Sequence, residues 1–418
     1  MSASVPGGGR DRIGAGRHVA ATPIPDKAVV SVHKLGTSDG AETTGVLYDV
    51  PGATAVVTLM HPRTDITHHA AIPFLLAGGY AVWAQGGRNV GSDLTLIHEE
   101  AIIDVAAGLA FLRERGYDHV VALGHSGGGA LYAYYIAQAS RPAPARIATT
   151  PAGRPSGLSD CTMDVPDGVV FLAPHPGQGE LLLSCIDPSV TDEADPLSVD
   201  PELDLYNPAN GFAEPPASSS YSPEFLERFG AAQRARVERI DERARALVAE
   251  RDAAKRQFKA TGAIAERRRG IAPRLITVYR TDADPRTVDL SLDPSDRPYG
   301  SVFGRRPDLT NYGLIGFGRL TTPDAWLSTW SGLSSNAAFS RCGAEVTVPS
   351  LVIEFTGDQI GFPGVIRRIF DSLGGADKTH LAVPGTHFGG PIAPGEPTGA
   401  ALASAAVLAW LAERFPVA

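Results

Sequence analysis

The stretch His119-Val-Val-Ala-Leu-Gly-His-Ser-Gly-Gly-Gly-Ala130 is the most informative part of this chain. Residues 120–123 are β-branched and aliphatic, which predicts a short buried strand. Residues 130–139 are small and compatible with a helix. Between them, residues 124–128 fit the pattern Gly-x-Ser-x-Gly, with Ser126 at the centre of a strand-to-helix turn.

Such a turn is so tight that its central residue is strained, and a Cβ on the flanking residues would clash with the strand or the helix. Gly124 and Gly128 meet that requirement. The turn would lift the hydroxyl of Ser126 above the edge of the sheet, beside the N-terminus of a helix. We therefore interpret Ser126 as a nucleophile, with a glycine-rich turn that has no chemistry as the alternative.

Residues 28–175 alternate between strand and helix patterns, which predicts a mostly parallel sheet covered on both faces. Residues 54–60, Thr-Ala-Val-Val-Thr-Leu-Met, form a continuous apolar run, as expected of a strand buried on both faces. The predicted strands are 28–33, 43–48, 54–60, 80–84, 119–123 and 169–173, and the predicted helices are 69–77, 97–115 and 130–139. The pattern resumes at residue 350 with strands 351–355 and 379–383 and helices 363–373 and 398–415.

The alternation breaks between residues 176 and 345, which predicts an insertion. Residues 186–224 are rich in Asp, Pro, Ser and Glu and carry few strand signals. Residues 222–268 have apolar positions at helical spacing, which predicts an amphipathic helix or hairpin. Its apolar stripe would pack on the body of the protein or on a second subunit, because its polar face is mixed in charge rather than basic.

With its Gly-x-Ser-x-Gly turn between strand and helix, the chain resembles the α/β-hydrolase family. The resemblance implies an α/β-hydrolase fold with a mostly parallel central sheet, flanking helices and a largely helical cap. The predicted domains are a flexible leader over residues 1–27, a core over 28–175 and 346–418, and a cap or lid over 176–345.

In this family the catalytic residues follow the chain order Ser, then Asp or Glu, then His. Asp358 comes just after strand 351–355, and His387 lies in a glycine-rich loop after strand 379–383. Loops beyond the carboxyl ends of parallel strands are where such sheets build their sites. The resemblance therefore implies a triad of Ser126, Asp358 and His387, although an aspartate that caps helix 363–373 is the alternative for Asp358.

Other carboxylates and imidazoles fit the order less well. Glu354 is the nearest rival acid, but it lies in the middle of its strand. His380 lies at the wrong end of the last strand and is predicted to be structural. His125 is the variable residue of the serine motif; it is expected to line the pocket without transferring a proton. The remaining histidines come too early in the chain for the family's base, among them His68, His69, His98 and His175.

The family's oxyanion hole uses the backbone N–H after the nucleophile, here Gly127, and a second donor from the loop after the third strand. Many relatives have His-Gly in that loop, whereas this chain has His61-Pro62, and His61 is predicted to lie in the oxyanion or substrate-binding site. Because proline has no N–H, we predict that the backbone N–H of Arg63 is the second donor. The Arg63 side chain would either bring a cation to the substrate or pair at the surface with Asp65 or Asp93.

The aromatic residues of segment 297–341 include two of the four tryptophans, Trp326 and Trp330. One hypothesis is that these two side chains line an apolar acyl or aromatic pocket. Packing in the core of the cap is the equally good alternative.

Composition excludes several classes of function. The chain of 418 residues has 43% hydrophobic and 20% charged residues, which is ordinary for a soluble globular protein. Its net charge of −9 and the lack of a basic patch argue against nucleic acid as a partner. The sequence contains no run of eighteen apolar residues, the length that a transmembrane helix needs, so no membrane partner is predicted.

The N-terminus and the cysteines point to a cytoplasmic enzyme. Residues 1–27 lack the apolar segment of a secretion signal. The three cysteines, Cys161, Cys185 and Cys342, are far apart and form no Cys-x-x-Cys motif. They suggest three free thiols rather than a disulfide framework or a metal site, although one disulfide would be compatible with them. No metal and no cofactor is predicted.

These observations predict a serine hydrolase that cleaves a carboxylic ester of a small molecule through an acyl-enzyme on Ser126. An acyltransferase, or a hydrolase of amides, thioesters, lactones or carbon–carbon bonds, would use the same residues. Aspartate in place of the serine would be needed for a dehalogenase or an epoxide hydrolase. A non-catalytic binding protein is disfavoured by the filled triad positions, and a homodimer through the cap or helix 222–268 is left open.

Overall fold

The computed structural model describes residues 23–417. Residues 1–22 of the predicted leader lie outside that range, so the leader stays a prediction. Ten strands are present in the described chain: β1 (Val29–Gly36), β2 (Glu42–Asp49), β3 (Ala55–Met60), β4 (Ala81–Gln85), β5 (His119–His125), β6 (Gly168–Leu172), β7 (Ile276–Thr277), β8 (Leu320–Thr321), β9 (Ser350–Phe355) and β10 (Lys378–Val383).

Helices connect these strands and build the insertion. Those of the described chain are α1 (Ile72–Ala77), α2 (His98–Glu114), α3 (Gly127–Ala139), α4 (Gln178–Cys185), α5 (Pro223–Thr261), α6 (Ile264–Ile271), α7 (Pro307–Thr310), α8 (Pro323–Ala325), α9 (Phe339–Cys342), α10 (Pro363–Ser372) and α11 (Gly399–Arg414). Every strand and helix predicted for residues 28–175 and 350–415 is present, with its bounds shifted by a few residues. No helix within residues 23–417 is long and apolar enough to span a membrane.

Eight strands form one sheet in the order β1-β2-β4-β3-β5-β6-β9-β10. Strand β2 is antiparallel to both its neighbours, and the other pairings are parallel. The parallel pairs arise because helices return the chain to the same end of the sheet. This strand order, with the serine turn after β5, is that of the α/β-hydrolase fold, so the predicted fold class is confirmed.

The sheet is covered on both faces. One apolar cluster joins it to α2, α3 and α10, and a second joins the opposite face to α1 and α11. All six residues of β3 and of β9 are buried, which explains why these strands read as continuous apolar runs in the sequence.

The residues between β6 and β9 form the predicted insertion. One apolar cluster lies wholly within it, and a second joins it to Ile360, after β9. Helix α5 spans 39 residues, begins where the Ser222 side chain accepts the N–H of Phe225, and ends at Gly262 in the left-handed region (φ 70°). The segment predicted as one helix or a hairpin is thus a long helix followed by the short α6. Its apolar stripe packs within this chain, and the homodimer stays a prediction.

The junction of the insertion with the sheet domain is well packed. Phe339 and Cys342 of α9 belong to the apolar cluster that covers the sheet. The predicted domain boundaries at 175/176 and 345/346 stay a prediction. All three cysteines are buried and unpaired.

The topology fixes where a site can form. Strands β5, β6, β9 and β10 are consecutive neighbours and parallel, so their carboxyl ends meet at one edge of the sheet. Polar residues that follow these strands are therefore brought together, although they are far apart in the sequence.

Candidate active site

Ser126 occupies a strained turn between β5 and α3. Its backbone lies at φ 56° and ψ −121°, a region that side chains rarely adopt and that costs about 1–3 kcal/mol. Neighbouring backbone holds it there. The N–H of Ser126 donates to the carbonyl of Leu172 at 3.0 Å, and its carbonyl accepts the N–H of Gly129 at 3.0 Å.

The flanking glycines are required by close approaches. A Cβ on Gly124 would lie 2.5 Å from the carbonyl oxygen of Gly128. A Cβ on Gly128 would lie 2.5 Å from the carbonyl oxygen of Met60, at the end of β3. Since both contacts are to backbone atoms, neither can relax by a side-chain rotation, and the turn accepts only glycine at these positions.

Ser126, His387 and Asp358 form one hydrogen-bonded chain. Nε2 of His387 lies 2.9 Å from Oγ of Ser126, and Nδ1 of His387 lies 2.8 Å from Oδ2 of Asp358. The other oxygen of Asp358 accepts the N–H of Ile360 at 2.7 Å. Asp358 and His387 are buried, whereas Ser126 is partly exposed. The carboxylate requires a proton on Nδ1 of His387, which leaves Nε2 free to accept the serine proton.

The rival acid and base are paired with each other. Oε2 of Glu354 lies 3.0 Å from Nε2 of His380, between the neighbouring strands β9 and β10. This pair keeps both side chains away from Ser126 and agrees with a structural role.

Two further histidines support the loop that carries His387. Nε2–H of His125 donates to the backbone carbonyl of His387 at 2.8 Å. In a neutral imidazole its Nδ1 must then accept, and it takes Nε2–H of His69 at 2.9 Å. The N–H of Ala71 in turn donates to Nδ1 of His69. His125 therefore positions the base, and sequence reasoning missed His69.

The loop after β3 is built around the His61 side chain. Nδ1 of His61 accepts the backbone N–H groups of Arg63 and Thr64, each at 3.0 Å, and lies 2.6 Å from the Thr64 hydroxyl. The N–H of Arg63 already has an acceptor inside its own loop. The prediction that this N–H is the second oxyanion donor is therefore corrected.

The Arg63 guanidinium is paired at the boundary between the sheet domain and the cap. It makes two hydrogen bonds to Asp93, at 2.6 and 2.7 Å, and its carbon lies 4.9 Å from the ring centre of Trp330. Of the two alternatives, pairing with Asp93 is the one observed, and Asp65 is not the partner. The guanidinium joins the cap to the edge of the sheet.

Trp326 and Trp330 lie in the core of the cap. Neither indole has any accessible surface, so neither lines a cavity that a substrate could enter. Nε1 of Trp326 donates to the Asp241 carboxylate at 2.7 Å, which ties the indole to helix α5. The hypothesis of an acyl pocket lined by these two residues is corrected in favour of core packing.

Three side chains face Gly127, the residue that follows the nucleophile. A Cβ built on Gly127 would lie 2.2 Å from Nε2 of Gln178, and 3.0 Å from Nε2 of both His61 and His175. Sequence reasoning missed His175 and Gln178 at this position. A signal was present, because His175 comes three residues after the end of β6, at the carboxyl edge of the sheet.

The imidazoles around the triad are held neutral. Burial lowers the pKa of His175 to about 3 and that of His69 to about 4. Burial also lowers the pKa values of His61 and His125 well below the ordinary value. At neutral pH these groups act as hydrogen-bond donors and acceptors rather than as cations.

No protein-family model matches the sequence, and no curated protein matches it. Solved structures of similar shape include the α/β hydrolase GrgF from Penicillium sp. sh18, at 12% identity over 92% of this chain and 99% of that chain, with a TM-score of 0.47. The monoacylglycerol lipase of Paleococcus ferrophilus is 16% identical over 92% and 99%, with a TM-score of 0.39. Est1E from Butyrivibrio proteoclasticus is 11% identical over 92% and 98%, with a TM-score of 0.44. One fold hosts many activities, so the function of this chain depends on the side chains of its site.

Proposed function

We propose that this protein is a serine hydrolase that cleaves a small-molecule carboxylic ester through an acyl-enzyme on Ser126. The observation that carries the proposal is the continuous chain of hydrogen bonds from Ser126 through His387 to Asp358. The strained backbone of Ser126 also supports the proposal. Strain of this kind persists only where the surrounding structure imposes it, and it is concentrated at functional sites.

In the first half of the reaction, Oγ of Ser126 attacks the ester carbonyl while Nε2 of His387 takes the hydroxyl proton. The carbonyl π electrons move to the oxygen, beside the backbone N–H of Gly127. When this intermediate collapses, the bond to the leaving oxygen breaks and His387 returns its proton to the alcohol. Asp358 stabilises the imidazolium in between.

In the second half, water replaces the alcohol. His387 takes a proton from water as its oxygen bonds to the acyl carbon, and then gives that proton to Oγ as the bond to Ser126 breaks. A carboxylic acid leaves and the enzyme is regenerated. The same groups act as base and acid in both halves.

The charges around the site favour an uncharged acyl group. Arg63 is neutralised by Asp93, and the imidazoles of His61 and His175 are neutral. A carboxylate on the substrate close to the scissile bond would therefore find no unpaired cation among these residues. We infer a neutral ester, held by hydrogen bonds rather than by ion pairing.

A panel of nitrophenyl esters with varied acyl chains, beside matched amides and thioesters, tests the proposal. The wild type is expected to hydrolyse at least one ester faster than the matched amide. In Ser126→Ala, kcat should fall by roughly 10⁴-fold or more, with circular dichroism and the unfolding temperature unchanged. Equal turnover by the folded Ser126→Ala protein would overturn the assignment.

A further inference from the structure

Two separate segments, one after β3 and one between β6 and α4, bring side-chain nitrogen atoms to the space above Gly127. His61 comes from the loop after β3, His175 from the loop after β6, and Gln178 from the start of helix α4. Their Nε2 atoms all lie within 3.0 Å of the position that a Cβ on Gly127 would occupy. The backbone N–H of Gly127 opens helix α3 at this same place, and the first N–H groups of a helix have no partner inside it.

The hydrogen bonds of the two histidines fix which nitrogen carries the proton. Nδ1 of His61 accepts two backbone N–H groups, from Arg63 and Thr64. Nδ1 of His175 accepts the backbone N–H of Gly177 at 3.2 Å. A neutral imidazole has a single N–H, which must therefore lie on Nε2 in both residues. Both N–H groups are directed into the space above Gly127.

Neutrality of the two rings is consistent with their surroundings. Burial lowers the pKa of both imidazoles far below neutral pH, and for His61 the nearby Arg63 acts in the same direction. Protonating Nδ1 of either ring would also break the backbone bonds that it accepts. The rings thus offer one fixed donor each.

Gln178 adds an independent sign that this space takes a ligand. Gln178 is 2% exposed. Neither polar atom of its side chain makes a hydrogen bond of good geometry within the described residues, although the amide is close enough to His98 to act on the pKa of that ring, in the raising direction. A buried amide without such partners is unfavourable for the folded protein. A ligand oxygen above Gly127 would accept a hydrogen bond from Nε2 of Gln178.

We propose that His61 and His175 are oxyanion donors, and that their Nε2–H groups bind the developing oxyanion together with the N–H of Gly127. The proposal deepens the esterase function and rests on it. It explains why proline is tolerated after His61. Pro62 has no N–H, and the N–H of Arg63 is used to orient the His61 ring. The loop after β3 therefore donates through the His61 side chain. Gln178 completes the same donor set.

Such donors act chiefly on the transition state. They are already oriented before the reaction, so they stabilise charge as it forms without reorganisation. Losing one donor of this kind typically lowers kcat by about 10²–10³-fold. The effect on KM should be small, because the ground-state carbonyl carries little charge.

A pair of substitutions at His61 separates its two nitrogen atoms. In His61→Asn the amide oxygen can replace Nδ1 and keep the bonds from Arg63 and Thr64, but no donor reaches Gly127. In His61→Gln the amide nitrogen can reach the place of Nε2 and keep that donor, but the loop bonds are lost. We expect kcat to fall by about 10²–10³-fold in His61→Asn, with KM changed a few-fold, and to fall less in His61→Gln.

The same pair at His175 provides a second test if a His61 variant fails to fold. His175→Asn would keep the bond from Gly177 and lose the donor, and His175→Gln would do the opposite. For each folded variant, the inhibition constant of a trifluoromethyl ketone should rise by the same factor as kcat/KM falls, because the inhibitor forms the oxyanion.

Wild-type kcat in folded His61→Asn and His175→Asn would overturn the proposal, as would the opposite order, in which the Gln variants lose more activity. These results would leave the esterase function intact if Ser126→Ala remained inactive. Conversely, an active Ser126→Ala protein would reject the esterase function itself, so the two failures can be distinguished.

Discussion

Buried polar side chains occur in two regions of this molecule, and they are arranged differently in each. At the carboxyl edge of the sheet, His387, His61 and His175 each have one ring nitrogen bonded within the protein while the other is directed towards Ser126 or Gly127. In the cap, the buried guanidinium groups of Arg236 and Arg280 are each bonded to more than one protein partner.

Two arginines illustrate the cap. Arg236 has no accessible surface, binds Glu193 through two nitrogen atoms at 2.7 Å, and donates to two backbone carbonyls. Arg280 is also buried; it donates to Tyr312 and to the carbonyl of Ser198, and its Nε faces the Asp187 carboxylate at 3.6 Å. Nothing in these networks is directed towards Ser126, so they hold irregular segments together instead of forming a site.

The difference shows what each region contributes. A buried donor or acceptor with one unused end can serve a reacting atom, whereas a saturated one can only stabilise the fold. Substitutions at the edge of the sheet should therefore change rates more than stability, and substitutions in the cap network should do the reverse.

The largest effect is expected from Asp358→Asn. The amide can still accept the N–H of Ile360, but it presents an N–H to His387 and imposes the wrong tautomer on the ring. We predict that kcat falls by about 10⁴-fold while the unfolding temperature changes by a few degrees at most. Steady-state kinetics and calorimetry on the same preparation check this, and wild-type kcat would point to another acid.

The next effect is on stability, in Arg236→Met. Removing this guanidinium leaves the Glu193 carboxylate and two carbonyls without their partner, which typically costs about 3–5 kcal/mol. The matched control is Arg234→Met on the same helix, where the pair with Glu238 is exposed and should contribute less than about 1 kcal/mol.

The unfolding temperatures of both variants, compared with wild type, check this prediction. The kcat of each variant, measured below its unfolding temperature, should stay within a few-fold of wild type. A smaller loss of stability in Arg236→Met than in Arg234→Met would contradict the proposed division between the two regions.

The smallest effect concerns pH. Burial lowers the pKa of His98 to about 4 and raises that of Asp282, in the cap, to about 6. His98 therefore binds its proton more weakly in the folded protein, and its contribution to stability is lost as pH falls from about 6.5 to 4. Asp282 binds its proton more tightly when folded, so its contribution is largest at low pH and is lost as pH rises through about 6.

Between pH 4.5 and 6, His98→Gln should reduce the loss of stability on acidification, and Asp282→Asn should increase it. Each change is at most about 1.4 kcal/mol per pH unit. Unfolding temperatures across this range provide the measurement, and equal slopes in wild type and both variants would contradict the two signs.

The sheet domain was predictable from the sequence because its signals are local. Apolar runs such as that of β3 mark strands buried on both faces, and glycines mark the turns between elements. Because the strands that precede them are parallel, Asp358 and His387 are expected at the same edge of the sheet as Ser126. The triad could therefore be proposed from the sequence alone.

The cap could not be read in the same way, because distant polar residues hold it together. The Asn311 side chain donates a hydrogen bond to the Asp187 carboxylate, 124 positions away in the sequence. Hydrophobic periodicity does not predict a contact of this kind. Gly262 ends α5 in the left-handed region, and the sequence pattern over residues 222–268 left one helix or a hairpin open.

The proposed oxyanion donors fall between these cases. His61 was predicted at the site, and Pro62 indicated that a backbone N–H is missing at that position of the loop. The predicted replacement was the N–H of Arg63, because a sequence does not reveal that an imidazole accepts this N–H within its own loop. His175 and Gln178 were missed because their approach to Gly127 depends on how the first turn of the cap packs.

Covalent labelling can show whether Ser126 is the nucleophile. The protein is treated with a fluorophosphonate, and the modified peptide is identified by mass spectrometry. We expect one adduct, on Ser126, that forms as ester hydrolysis is lost and is absent from Ser126→Ala. Loss of hydrolysis with Ser126 unmodified, or with an adduct on another residue, would contradict this assignment.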